Sequence, residues 1–207
     1  VVLCMVFARN AAMGFNRLAD KKYDALNPRT KNREIPSGKI SPRSTAFFVI
    51  TNSVLFVITA GFINRLTLFL SPVALLIILG YSLSKKITWL CHFILGLGLS
   101  LAPIGAYISV TGSFTLLPVI YSFIVLTWVS GFDIIYALQD DEFDKNHGIY
   151  SIPSCTGRRK ALLISAFIHL LTSILVIIAG ILDKGSFFFW AGALIFIALL
   201  LYQHIIV

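Results

Sequence analysis

The chain has 207 residues and a mass of 22.9 kDa, the size of one soluble domain, but its composition excludes one. Hydrophobic residues make up 57%, mean hydropathy is +0.88 and charged residues are only 13%, about half the roughly 25% of soluble globular chains. Too little polar surface is available to cover a water-soluble monomer, and the apolar content excludes a disordered chain. The net charge of +8 does not point to nucleic acid, because the Lys and Arg residues sit in a few loops between long apolar runs. Cys4, Cys91 and Cys155 have neither metal-ligand spacing nor the density of a disulfide framework. An integral membrane protein remains.

A bilayer core of about 30 Å takes roughly 20 apolar residues as a helix. Seven stretches meet or approach that length: residues 1–14, 45–63, 66–84, 87–109, 115–138, 160–182 and 186–207. None alternates as an outer-membrane barrel strand would. The predicted fold class is therefore all-α, a polytopic transmembrane helical bundle forming a single domain over 1–207. The first run is short, and both Val1 and Val207 lie inside apolar sequence, so the expectation is a domain truncated at both ends.

The loops predict an orientation. Residues 15–44, the turn at Lys85 and Lys86, and residues 139–159 with Lys160 return to one side of the bilayer and hold 14 of the 17 Lys and Arg. The opposite side holds Arg65 and Lys184. The positive-inside rule makes the basic side cytoplasmic. Two long loops on that side also collect most of the acids.

In the first long loop Asn16, Asp20 and Asp24 recur every four residues, and would share one face if the first helix continues. In the second, Asp140 and Asp144 repeat the step, with Asp133 two turns earlier and inside a span. Four crossings separate the sets, so both return to the same side, and a fold that joined them would build a cup of four or five carboxylates. Such a cup needs cations to suppress mutual repulsion. Hard oxygen ligands suit Mg²⁺, which takes one or two carboxylates together with water and substrate phosphate. Lys21, Lys22, Arg29, Lys31, Arg33, Lys85 and Lys145 lie among the acids and suit a diphosphate, while the apolar bundle would house a hydrocarbon tail. One Asp-x-x-x-Asp pair alone is usually solvated surface. Two on one side, with an acid inside a span, favour a metal site.

These motifs resemble the UbiA superfamily of intramembrane prenyltransferases. Asn16, Asp20 and Asp24 match its first signature, and the run from Asn27 to Gly38 is similar to the basic stretch that follows it. Asp133, Tyr136, Asp140 and Asp144 match the second signature, and Tyr81 with Lys85 matches a third. The resemblance implies a nine-helix horseshoe, of which the seven spans here would be the second to the eighth. It implies Mg²⁺ held by Asp20, Asp24, Asp140 and Asp144. A polyprenyl diphosphate would be bound by Asn16, Arg29, Arg33, Tyr81, Lys85 and Lys145, with Asp133, Tyr136 and Lys85 in catalytic roles. The implied reaction is transfer of the prenyl group to an aromatic acid. The stretch from Gly131 to Pro153 is most similar to bacterial 4-hydroxybenzoate polyprenyltransferases, leaning toward the futalosine-menaquinone subgroup with a dihydroxynaphthoate acceptor. The implied place is the bacterial inner membrane, and no obligatory protein partner is inferred.

Other readings stay open at this level. A CDP-alcohol phosphotransferase would need an Asp-Gly-x-x-Ala-Arg string, which is absent. A transporter with acidic gates would need acids deep in several spans, and only Asp133 qualifies. His92 and His169 read as hydrogen-bonded packing residues, and His147 as solvated loop. Tyr136 could orient a carboxylate, line the acceptor pocket or simply pack.

Overall fold

The computed structural model describes residues 1–207 and contains helices but no strands. In chain order these are α1 (Val2–Leu26), α2 (Pro42–Gly61), α3 (Arg65–Ser84), α4 (Cys91–Thr111), α5 (Leu116–Ala137), α6 (Asp141–His147), α7 (Ile152–Thr156), α8 (Arg158–Leu182) and α9 (Phe187–Ile206). Six of them, α2 to α5 with α8 and α9, are long and apolar enough to cross a membrane. They match the last six expected spans, except that the fourth starts at Cys91 rather than at residue 87. The first expected span is the N-terminal part of α1. That helix runs on unbroken through Arg17, Asp20, Lys21, Lys22 and Asp24, whose charges leave no apolar window of crossing length.

Local chemistry sets the boundaries. Helix α1 ends at Asn27, which is extended at φ −81° and ψ 120°, because the ring of Pro28 disfavours α geometry in the residue before it. Ser41 caps α2 by accepting the Ser44 amide at 3.1 Å, with Pro42 in the first turn. Ser151 caps α7 through a reciprocal box with Ser154. Lipid-length helices leave large apolar side chains outward: Phe62, Phe69, Val110, Phe187 and Phe188 are exposed, as expected where hydrocarbon is the solvent.

The chain divides into two compact units. The first comprises residues 1–84 with 108–112, and in it α1, α2 and α3 pack on one another. Close approach comes from small residues: a Cβ on Gly14 would lie 2.8 Å from Val49 Cγ2. Polar pairs tie the helices, Asn10 to Asn52 at 3.2 Å and Asn16 to Ser82 at 3.5 Å. The second unit comprises residues 85–107 and 113–207, centred on α5 against α8. Its apolar core has two parts. One gathers Ile120, Ile124, Val176, Ala179 and Ala193. The other gathers Ile134, Ile152, Ala161 and Ile168, with Phe93 packed against it. Gly96 lets α4 come close to α5, since a Cβ there would meet the Leu126 carbonyl oxygen at 2.6 Å.

Candidate active site

The first acidic set belongs to the first unit. Asp20 and Asp24 lie on one unbroken helix, as their spacing predicts, and both are buried, at 2% and 5% exposure. Burying a carboxylate is costly unless it is paired. For Asp24 the loop after α1 supplies the pairing by folding back as a series of turns between Asn27 and Ile40. Arg33 donates from Nη1 to Asp24 Oδ1 at 2.7 Å, and the Thr30 hydroxyl donates to the Asp24 carbonyl at 3.2 Å. The Asn27 side chain accepts the Arg29 amide at 2.9 Å, and Arg17 faces Glu34 at 3.6 Å. Asp24 Oδ2, however, is buried with no hydrogen-bond partner. A buried anionic oxygen left over beside a single guanidinium is suited to a hard cation. Asn16, one turn before Asp20, bonds to Ser82, the neighbour of Tyr81 on α3.

The second set belongs to the second unit and is built differently. Helix α5 stops at Ala137, and Asp140 stands at the N-cap of the seven-residue α6, which carries Asp144. The break therefore precedes both acids, which are the cap and first turn of α6, joined by its first helical bond, the Asp144 amide donating to the Asp140 carbonyl at 2.8 Å. Lys145 is engaged by Asp141 at 2.8 Å, while Asp141 Oδ1 is buried without a partner. Burial pushes the Asp144 carboxyl up to about 6; the Ser151 hydroxyl lowers it, Asp140 raises it, and Lys85 lowers it. Lys85 itself is clipped to this loop, its carbonyl accepting the Tyr150 amide at 2.8 Å.

Asp133 and Tyr136 are both on α5. The intramembrane acid is paired: its Oδ2 lies 2.7 Å from His92 Nδ1. Tyr136 is exposed and stacks on Phe132 with ring centroids 6.5 Å apart, presenting an aromatic face. His169 is buried between the Trp128 carbonyl at 3.2 Å and His204 at 2.8 Å, a hydrogen-bonded packing role as expected. No group of three or more His, Cys, Asp or Glu side chains is gathered that could hold a metal ion unaided. Each acidic set on its own offers a pair, the number Mg²⁺ takes when water and phosphate complete its shell.

Sequence reasoning missed two contributors, His92 as the partner of Asp133 and Ser151 as the cap that starts α7. Each left a signal. An acid inside a span demands a partner, and Ser151 before Ile152-Pro153 has the form of a helix start.

Comparison with known proteins agrees with this architecture. The whole chain, residues 1–207, matches the UbiA prenyltransferase family. It is 31% identical over 206 residues to the 4-hydroxybenzoate octaprenyltransferase of Aliivibrio salmonicida, covering 98% of this chain and 71% of that protein. Among solved structures, a UbiA homologue from Aeropyrum pernix K1 in its apo form superposes with a TM-score of 0.92 at 30% identity, over 97% of this chain and 76% of that one. A UbiA homologue from Archaeoglobus fulgidus bound to DMAPP and Mg²⁺ superposes with a TM-score of 0.78 at 22% identity, over 99% and 73%, a likeness of fold. With six apolar helices of crossing length and this match over its full length, the chain is an integral membrane protein and belongs to the UbiA prenyltransferase family.

Proposed function

We propose that this prenyltransferase moves a polyprenyl group from its diphosphate to 4-hydroxybenzoate, with Mg²⁺ held by Asp20 and Asp24 of the first unit and Asp140 and Asp144 of the second. The observation that carries the reading is the buried Asp24 carboxylate, one oxygen on Arg33 and the other without a partner. The name of the Aliivibrio relative supports the acceptor, and the ligands of the Archaeoglobus homologue support the diphosphate and the metal.

The chemistry divides among the chain's own residues. Breaking the allylic C–O bond leaves an allylic cation and diphosphate, a new C–C bond forms to the aromatic ring, and the ring loses a proton. When bound, Mg²⁺ offsets the charge that develops on the departing oxygens. Asp20 and Asp24 are fixed by helix α1, and Asp140 and Asp144 by the capped start of α6. Asn16, Tyr81, Lys85 and Arg29 supply polar contacts to the phosphates. Arg33 and Lys145, already engaged by Asp24 and Asp141, contribute charge from those positions. The apolar helices exclude water that would quench the cation. The Phe132–Tyr136 face offers a surface against which a planar acceptor can lie. By the positive-inside rule the acidic loops face the cytoplasm of a bacterial inner membrane, in ubiquinone biosynthesis.

The test is the protein in phospholipid vesicles with labelled geranyl diphosphate and, separately, 4-hydroxybenzoate or 1,4-dihydroxy-6-naphthoate. The expected result is a prenylated benzoate whose formation stops with EDTA and resumes with Mg²⁺. Transfer only to the naphthoate would move the protein to menaquinone synthesis, and turnover indifferent to EDTA would remove the metal from the mechanism.

A further inference from the structure

His92 is 2% exposed in the first turn of α4, yet both of its ring nitrogens are engaged. The Ile152 amide donates to Nε2 at 3.1 Å. A nitrogen that accepts from an amide carries no proton, so the proton is on Nδ1, which donates to Asp133 Oδ2 at 2.7 Å. The ring is therefore held from one side by a carboxylate and used on the other, the arrangement that orients a metal-bound histidine, with a backbone amide where the metal would be. The backbone of His92 is tied as well, its carbonyl accepting the Ser130 hydroxyl at 3.2 Å.

The amide it holds sits at a sensitive place. Helices α6 and α7 have seven and five residues, too short to persist without tertiary support. Three successive residues between and at the start of these helices are each tied to something else. Tyr150 donates its amide to the Lys85 carbonyl at 2.8 Å, the Ser151 hydroxyl accepts the Ser154 amide at 3.2 Å, and Ile152 donates to His92. The Ser154 hydroxyl in turn donates to the Ile149 carbonyl at 3.2 Å, and the Ile149 amide donates to the Asp144 carbonyl at 3.0 Å, so the end of α6 that carries Asp144 depends on where α7 begins. That start is what the imidazole fixes. We infer that His92, oriented by Asp133, is a positioning residue that holds the 150–152 strap and, through Ser154 and Ile149, the end of α6 that carries Asp144. Asp133 then serves to orient an imidazole rather than to take a proton from substrate. The importance of Asp144 as a metal ligand rests on the function proposed above; the hold of His92 on the strap does not.

The experiment uses the protein in phospholipid vesicles, with amide hydrogen exchange and binding of Mn²⁺ alone as readouts. His92→Phe keeps the ring and removes both bonds; His92→Gln restores one acceptor and one donor. The expected result for His92→Phe is exchange across residues 149–155 faster by about tenfold or more, and Mn²⁺ affinity weaker by about tenfold, the lower end of what loss of an outer-shell partner costs. Peptides spanning Asp20 and Asp24 should exchange as before. His92→Gln should recover most of both effects, and Asp133→Leu should reproduce them while Asp133→Asn, which still accepts from Nδ1, does so less. Unchanged strap exchange in His92→Phe, or in Asp133→Leu, overturns the inference. If His92→Phe exchanges everywhere, the decision passes to His92→Gln against Asp133→Leu: similar strap protection in those two variants overturns it. Absence of Mn²⁺ binding in the unaltered protein would sink the metal assignment, while the exchange result would still decide the role of His92.

Discussion

The two acidic sets share a four-residue spacing and little else. Asp20 and Asp24 ride one continuous helix of 25 residues, buried to within a few per cent and backed by Arg33 from the adjoining loop. Asp140 and Asp144 are the cap and first-turn acids of the seven-residue α6 and are partly exposed, and that helix is tied to the strap after it, the Ile149 amide donating to the Asp144 carbonyl at 3.0 Å. The first pair is therefore preorganised by one long helix, and the second by a short helix that itself depends on tertiary contacts. A set built on a helix loses its geometry only if the helix unwinds. A set whose short helix leans on a strap can be loosened from a distance.

The sharpest way to test the contrast is to remove a carboxylate from each set. Asp24→Ala and Asp140→Ala should each lower prenyl transfer by about 10²–10³-fold, the scale of losing one charge-stabilising group at a reacting centre, measured with labelled geranyl diphosphate in vesicles. Turnover close to that of the unaltered protein in either variant would break the equivalence of the two sets. Next in size is the effect on stability of removing each set's cation. Arg33→Ala strips a buried carboxylate of its partner and should cost about 1–3 kcal/mol, the penalty for an unsatisfied buried group, read as a lower unfolding temperature in detergent. Lys145→Ala breaks an exposed i,i+4 pair with Asp141 and should cost no more than about 0.5 kcal/mol. Equal losses would show that the second set is as preorganised as the first.

The pH dependence separates the sets most finely. Asp144 lies above its ordinary value of 3.8, at about 6. The native state therefore holds a proton that the unfolded chain releases between these values. Without metal, stability should fall as pH rises from about 4 to about 6, because ionising a desolvated carboxylate is disfavoured. Divalent-ion binding needs the ionised form, so Mn²⁺ affinity should strengthen over the same rise. Asp144→Asn should remove most of the dependence across that window. A pH profile unchanged by that substitution would mean another group controls the site.

Much of the fold was legible from residue order because lipid imposes a simple rule: a helix must be apolar for about 20 residues. Runs ending near residues 61, 84, 111, 137, 182 and 206 appear as helices close to their expected limits. The limits that were misplaced lie where charge and turn chemistry compete. At residues 87–90 the chain turns before α4 begins, and the long second loop contains two short helices that an apolar-run reading passes over. The acidic spacings were visible too, since a four-residue step needs only a helix to bring two side chains onto one face.

What sequence determined by itself, then, was periodic: apolar length, the spacing of carboxylates, and the collection of charge into a few loops. These follow from the repeat of the helix and from exclusion of charge from hydrocarbon. Only tertiary structure decided which groups are consumed by one another. It placed Arg33 on Asp24, gave the intramembrane Asp133 to His92, and let an imidazole 60 residues away hold the amide of Ile152. Those pairings depend on which faces of distant helices meet, and no local repeat records that.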